Sequence, residues 1–112
     1  LDFDSSAQEV VLGSQRRLVV DAFTRYRITD PLRFFQTVGA TEAGIRSRLE
    51  PSVTSALRGA LANETLPAVL SAERARIMGE IRQRVASDTQ DLGIEVVAVR
   101  LRRADLTEGN TQ

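Results

Sequence analysis

The fold is decided by residues 17–31, which read RLVVDAFTRYRITDP. From Arg17 to Ile28 the side-chain character alternates with a period of two, which is typical of a β-strand with one buried face. We predict that the following set faces the core: Leu18, Val20, Ala22, Thr24, Tyr26 and Ile28. Asp30 and Pro31 then predict a helix start, because an Asp side chain caps free backbone N–H groups and proline is tolerated at the first helical position.

The segments on either side extend this prediction. Residues 7–12 form a short β-branched run and residues 13–16, GSQR, are polar, so we expect a hairpin with a four-residue loop. After Pro31 we predict a short helix over residues 32–38 that ends near Gly39. Phe34 and Phe35 are expected to anchor this helix to the sheet.

The rest of the chain predicts two longer helices and a returning strand. Beyond Thr41 the helical stripe contains Ile45, Leu49, Val53, Leu57 and Leu61, and Pro51 is expected to kink or divide it. The next helix, capped by Ser71, has a stripe of Ile77, Met78, Ile81, Val85 and Leu92. Gly93 ends it, and residues 94–101 form the last strand. We therefore predict an α+β fold with a mainly antiparallel β-sheet and helices packed on one face.

Composition excludes several classes of function. The chain has 112 residues, with 15 Arg, 15 acidic side chains and no Lys, His or Cys. Serine-histidine and cysteine-histidine catalysis and histidine or thiolate metal sites are therefore excluded within it. The even charge balance argues against nucleic-acid binding, which requires an excess of basic residues. We predict one domain over residues 1–106, excised from a longer protein, and a polar tail over residues 107–112.

No motif in the chain indicates catalysis or a bound cofactor. Asp2 and Asp4 are the nearest approach to a metal-binding pair, but no glycine-punctuated acidic loop surrounds them. A phosphate-binding loop, a dinucleotide fingerprint and a nucleophile elbow are all missing from the sequence. We therefore predict no catalytic, cofactor-binding or metal-binding residue, no cofactor and no enzymatic activity.

One face of the predicted sheet is the candidate site. If the first long strand and the last strand are neighbours, five residues share the face away from the helices: Phe23, Arg25, Arg27, Arg100 and Arg102. We expect Val19, Val96 and Ala98 on the same face. Apolar residues mixed with arginine are enriched in protein contact surfaces, so we predict a protein-contact face. A plain solvated face is the alternative interpretation.

Two stretches resemble a known family. Residues 17–34, RLVVDAFTRYRITDPLRF, and residues 92–106, LGIEVVAVRLRRADL, resemble the band-7 (SPFH) domain of stomatins, prohibitins and flotillins, and most of all its bacterial HflC branch. In this family the final strand usually runs into Leu-Pro, whereas here Leu106 is followed by Thr107. The helices between the two stretches agree with the family in order and character.

The resemblance implies a scaffold and not a catalyst. Proteins of the HflC branch have an N-terminal membrane anchor, with this domain on the periplasmic side of the bacterial inner membrane. They assemble with an HflK-like subunit and modulate the AAA+ metalloprotease FtsH. The resemblance thus implies these two partners, self-association of the full-length protein, and membrane attachment through an anchor outside this chain. A band-7 membrane-microdomain scaffold without a protease partner is the alternative, and an enzyme acting in membrane proteolysis is the third hypothesis.

Overall fold

The computed structural model describes residues 1–106; the predicted polar tail, residues 107–112, lies outside the described residues. The strands are β1 (Asp2–Asp4), β2 (Gln8–Val11), β3 (Arg17–Ile28) and β4 (Ile94–Leu106). The helices are α1 (Pro31–Thr37), α2 (Glu42–Leu61), α3 (Leu66–Leu70) and α4 (Arg74–Asp88), and a 3-10 helix spans Gln90–Leu92.

The sheet is antiparallel and is centred on β3. β4 lies along one side of β3 from the pair Leu18–Leu106 to the pair Ile28–Ile94, and the short strands β1 and β2 share the other side. The predicted hairpin is present, but Leu12 N–H bonds to Arg16 O at 2.8 Å, so its loop is one residue shorter than expected. The predicted α+β fold is confirmed.

The core lies between one face of the sheet and the helices α2 and α4. The side chains of β3 predicted to face the core are buried, except that Ile28, at the strand end, is 36% exposed. They pack against apolar side chains of the two long helices, including Val53, Leu57, Ile77 and Ile81, all fully buried. Burial of this one face explains why β3 keeps a strict period of two.

The helix α1 begins as predicted. Asp30 Oδ1 accepts a hydrogen bond from Arg33 N–H at 3.1 Å, and Pro31 is the first helical residue. The Phe34 ring stacks on Tyr26 with 6.5 Å between ring centroids, so it anchors the helix. The prediction for Phe35 is wrong, because its side chain lies on the solvent side of this short helix and is 63% exposed.

The remaining helices differ from the prediction at four places. Pro51 does not divide α2, since Leu49 and Val53 on either side of it are buried and hold the helix on the core. The short helix α3, capped by Thr65, was not predicted. α4 starts at Arg74, because Ser71 caps the preceding turn by accepting a hydrogen bond from Glu73 N–H at 3.1 Å. Leu92 lies in the separate 3-10 helix.

The strand β4 is longer than predicted and contains two irregularities. Arg25 pairs with Ala98 but Tyr26 pairs with Val96, so Val97 is an extra residue, and Arg102 is a second one. An extra residue shifts the alternation of side chains between the two faces by one position. The placement of Val96 on the outer face is therefore wrong: its side chain is in the core, 4% exposed.

Gly93 joins the 3-10 helix to β4 in a left-handed conformation, with φ of 78°. Its carbonyl accepts hydrogen bonds from Thr29 N–H at 2.9 Å and Asp30 N–H at 3.1 Å. A Cβ atom at this position would lie 2.6 Å from Asp30 O. Glycine is thus required here for both backbone conformation and space, and it fixes the start of β4 against the start of α1.

Candidate functional site: the outer face of the sheet

The face of the sheet turned away from the helices, here called the outer face, collects the five predicted contact residues. Phe23 on β3 pairs with Arg100 on β4, and Arg25 and Arg27 follow Phe23 at every second position. Arg102, the second extra residue of β4, lies two positions after Arg100. Its guanidinium is 5.8 Å from the centre of the Phe23 ring. The structure therefore brings all five together, and their role in protein contact stays a prediction.

Three of the four predicted arginines on this face form ion pairs with carboxylates. Arg25 Nε lies 3.1 Å from Asp2 Oδ1, and Arg27 Nε donates to Glu95 Oε1 at 3.0 Å. Arg102 reaches across Phe23 to Asp4, with 2.7 Å between nitrogen and Oδ1. All of these groups are about half exposed, so each pair contributes only a few tenths of a kcal/mol, about 0.2–1, to folding.

The acids from β1 were missed as members of the site by reasoning from the sequence. Asp2, Phe3 and Asp4 alternate with a period of two, and Phe3 is buried while both acids are exposed. That alternation was the available signal, because it is the pattern of a strand with one buried face. β1 pairs with β3 at Asp2–Arg25 and Asp4–Phe23, which places both carboxylates beside the arginines.

Two polar groups of this face have unused bonding capacity. Arg100 is exposed and forms no ion pair within residues 1–106. One carboxylate oxygen of Asp21, Oδ1, is buried and accepts no hydrogen bond in the described part of the chain. Buried polar atoms are satisfied in most folded proteins, so Asp21 Oδ1 is available to accept a hydrogen bond from water or from a donor of a partner.

The opposite side of β3 holds the chain's single tyrosine. Tyr26 is 3% exposed in the core, and burial together with the nearby Asp2 carboxylate raises the pKa of its phenol. A raised pKa favours the neutral phenol at physiological pH, so Tyr26 serves here as a packing residue against Phe34.

Neither a metal site nor a membrane-crossing helix is found within residues 1–106. No three acidic side chains in that range come close enough together to hold a metal ion. None of the helices described there is long and apolar enough to cross a membrane.

Comparison with known proteins gives two matches. Residues 1–112 match the family model described as SPFH domain / Band 7 family. The chain is also 28% identical over 109 residues to Protein HflC of Haemophilus influenzae, an alignment that covers 94% of this chain and 37% of that protein. The chain thus spans a little over a third of the length of this curated relative.

Proposed function

The chain belongs to the SPFH domain / Band 7 family, and from this membership we propose that it is a non-enzymatic scaffold domain that joins neighbouring subunits through its outer face. The observation that carries the proposal is the pairing of Phe23 with Arg100 under the guanidinium of Arg102. An aromatic ring among arginines is the composition enriched in protein contact surfaces. Arginines and carboxylates nearly balance on the outer face, which suits contact with a second surface that carries charges of both signs.

We propose that the longer protein carrying this domain is an HflC-type regulator. It would be anchored in the bacterial inner membrane outside this chain, with the domain on the periplasmic side. Assembled with an HflK-like subunit, it would modulate the AAA+ metalloprotease FtsH. The support is the likeness to Protein HflC, which covers most of this chain.

Assembly of the longer protein tests the contact face. We expect Phe23→Asp and Arg100→Glu each to shift the protein from large to small particles in sedimentation under mild detergent. Arg58→Glu is the matched control, because Arg58 is an exposed arginine on α2, away from the outer face. Circular dichroism of the isolated chain must show that each variant is folded. Normal assembly of both outer-face variants would refute the proposal, and unfolding of either would assign that side chain to folding instead.

Co-purification tests the partners. The longer protein, extracted from membranes together with the HflK-like subunit, is expected to bring the metalloprotease with it. Extraction of the two subunits without the metalloprotease would favour a membrane-microdomain scaffold that has no protease partner.

The purified chain is expected to hydrolyse no protein substrate at any pH. Turnover with a pH profile set by carboxylates would contradict the non-enzymatic assignment, because carboxylates are the acid–base groups that the chain offers.

A further inference from the structure

Within residues 1–106, one edge of β4 has no strand beside it and faces a groove that borders the outer face and shares Arg100 with it. β4 has β3 on one side, and along its other side a cavity of about 570 Å³ separates it from the N-terminal half of α4. Met78 and Arg82 line it from the helix and Val99 lines it from the strand. We call this cavity the edge groove.

Backbone groups of β4 point into the edge groove. In an antiparallel pair, successive residues turn their N–H and C=O groups alternately toward the neighbour and away from it. Leu101 O accepts a hydrogen bond from Arg74 of α4 at 3.1 Å, so Leu101 faces the groove. The register between Ala98 and Leu101 is regular, so Val99, two residues earlier, turns its N–H and C=O the same way. An extended segment could therefore pair with β4 as an added strand.

The charge of the groove is positive and uncompensated. Among the described residues, its lining includes Arg74, Arg82 and Arg100 and no carboxylate. Within residues 1–106, Arg82 and Arg100 form no ion pair, and Arg74 bonds to a backbone carbonyl. The larger groove between α2 and α4, about 670 Å³, differs: there Arg84 pairs with Glu80 at 3.0 Å, and Asp88 adds a further carboxylate.

We propose that the edge groove binds an extended acidic peptide segment of a partner protein. The segment adds to the sheet beside β4, displaces Arg74 from Leu101 O, and places its carboxylates against Arg74 and Arg82. These two arginines are eight residues apart on α4, about 12 Å. Glu residues four apart on a strand span about 13 Å, which offers carboxylates at a similar spacing. This site goes beyond the proposed scaffold function and does not depend on it.

Binding of a labelled peptide tests the charge. The probe is fluorescein-labelled Glu-Val-Glu-Thr-Glu-Val-Glu, followed by fluorescence anisotropy with the chain as printed. We expect it to bind at least about tenfold more tightly than the same peptide with Lys in place of Glu, and to weaken with added NaCl. Arg82→Glu should weaken binding at least about fivefold, while Arg58→Glu leaves it unchanged. Equal binding of the Glu and Lys peptides would overturn the proposal.

Backbone methylation tests strand addition. N-methyl groups on one alternate set of peptide amides should abolish binding, and on the other set should be tolerated, because only one set faces β4. Amide resonances of Val99 and Leu101 are expected to shift in NMR spectra when the peptide binds. Equal effects of both methylated sets would overturn the proposal. Shifts of Val99 that depend on chain concentration without peptide would also overturn it, and would identify a second copy as the occupant. Because Arg82 lies off the outer face, failure here leaves the assembly test unaffected.

Discussion

The outer face and the edge groove share Arg100, but the other arginines of the two regions differ in how their charge is compensated. On the outer face Arg25, Arg27 and Arg102 each lie beside a carboxylate, and a phenylalanine ring lies among them. In the edge groove Arg82 forms no ion pair within residues 1–106, and β4 has no strand beside it on this side in that range.

Because of this difference, the two regions suit different kinds of partner. A compensated surface gains little from a charged ligand and needs shape and apolar contact, which another folded subunit provides. Within residues 1–106 the edge groove has no carboxylate in its lining and no strand beside β4, and an extended acidic segment provides both. A chain with a formal net charge of zero can therefore contain a local positive site.

Both regions contain β4, whose start is fixed by Gly93. The largest loss of stability is therefore expected from a substitution of Gly93. Gly93→Ala should lower the free energy of unfolding by about 2–4 kcal/mol, because Ala is strained at positive φ and its Cβ would meet Asp30 O. Urea denaturation followed by circular dichroism measures this. Gly79→Ala is the control: it lies in α4 with open space around it, and should stabilise by about 0.5–1 kcal/mol. Equal stability of the two variants would contradict the packing described for Gly93.

The next loss of stability distinguishes the side of α1 that packs on Tyr26 of β3 from its exposed side. Phe34→Ala should cost about 1–2 kcal/mol because the ring stacks on Tyr26 in the core, whereas Phe35→Ala should cost less than about 0.5 kcal/mol because its ring is exposed. Thermal unfolding of the two variants makes the comparison. A larger loss for Phe35→Ala would mean that α1 is packed the other way round.

A smaller loss of stability is expected at alkaline pH, from Tyr26 on the core side of β3. The raised pKa of Tyr26 means that the unfolded chain loses its phenolic proton before the folded chain does. Stability is therefore full below the ordinary tyrosine pKa of 10.0 and falls as the pH rises through the folded value. Tyrosinate absorbance reports Tyr26 alone, since the chain has one tyrosine. Titration at the ordinary pKa in the folded chain would contradict the burial of the phenol.

The smallest changes in the free energy of unfolding are expected from the arginines, where Arg102 of the outer face is compared with Arg82 of the edge groove. Arg102→Gln removes an ion pair with Asp4 and should lower the free energy of unfolding by about 0.5 kcal/mol, within the range for exposed pairs. Arg82→Gln removes no ion pair formed within residues 1–106 and should change the free energy of unfolding by less than about 0.3 kcal/mol. Chemical denaturation of both variants at low salt is the measurement. A clear loss for Arg82→Gln would show that this arginine has a structural partner.

Local signals explain how much of the fold could be predicted. The alternation in β3 and the capping by Asp30 depend on neighbouring residues, and both predictions were right. The extra residue at Val97 could not be predicted, because it depends on how β4 meets β3 across most of the chain length. The same reason explains the error at Val96. The short helix α3 has too few residues to show a period.

The candidate site was predicted in part for the same reason. Period-two spacing was enough to place Phe23, Arg25 and Arg27 on one face. The carboxylates of Asp2 and Asp4 belong to the site because β1 pairs with β3, a pairing between segments about 20 residues apart in the sequence. The edge groove requires α4 to lie along β4, a long-range contact with no signature in either segment alone.

Thiol labelling of the longer protein tests most directly whether assembly covers the outer face and leaves the edge groove open. The printed chain has no cysteine, and with any cysteine elsewhere in the longer protein replaced by Ser, single cysteines are introduced at Arg25 on the outer face and at Ala75 in the groove. Each variant is first shown by sedimentation to assemble, and maleimide labelling is then compared between assembled and dissociated protein. We predict that assembly protects Arg25→Cys and leaves Ala75→Cys as reactive as before. Equal labelling of Arg25→Cys in both states, or protection of Ala75→Cys instead, would contradict the account.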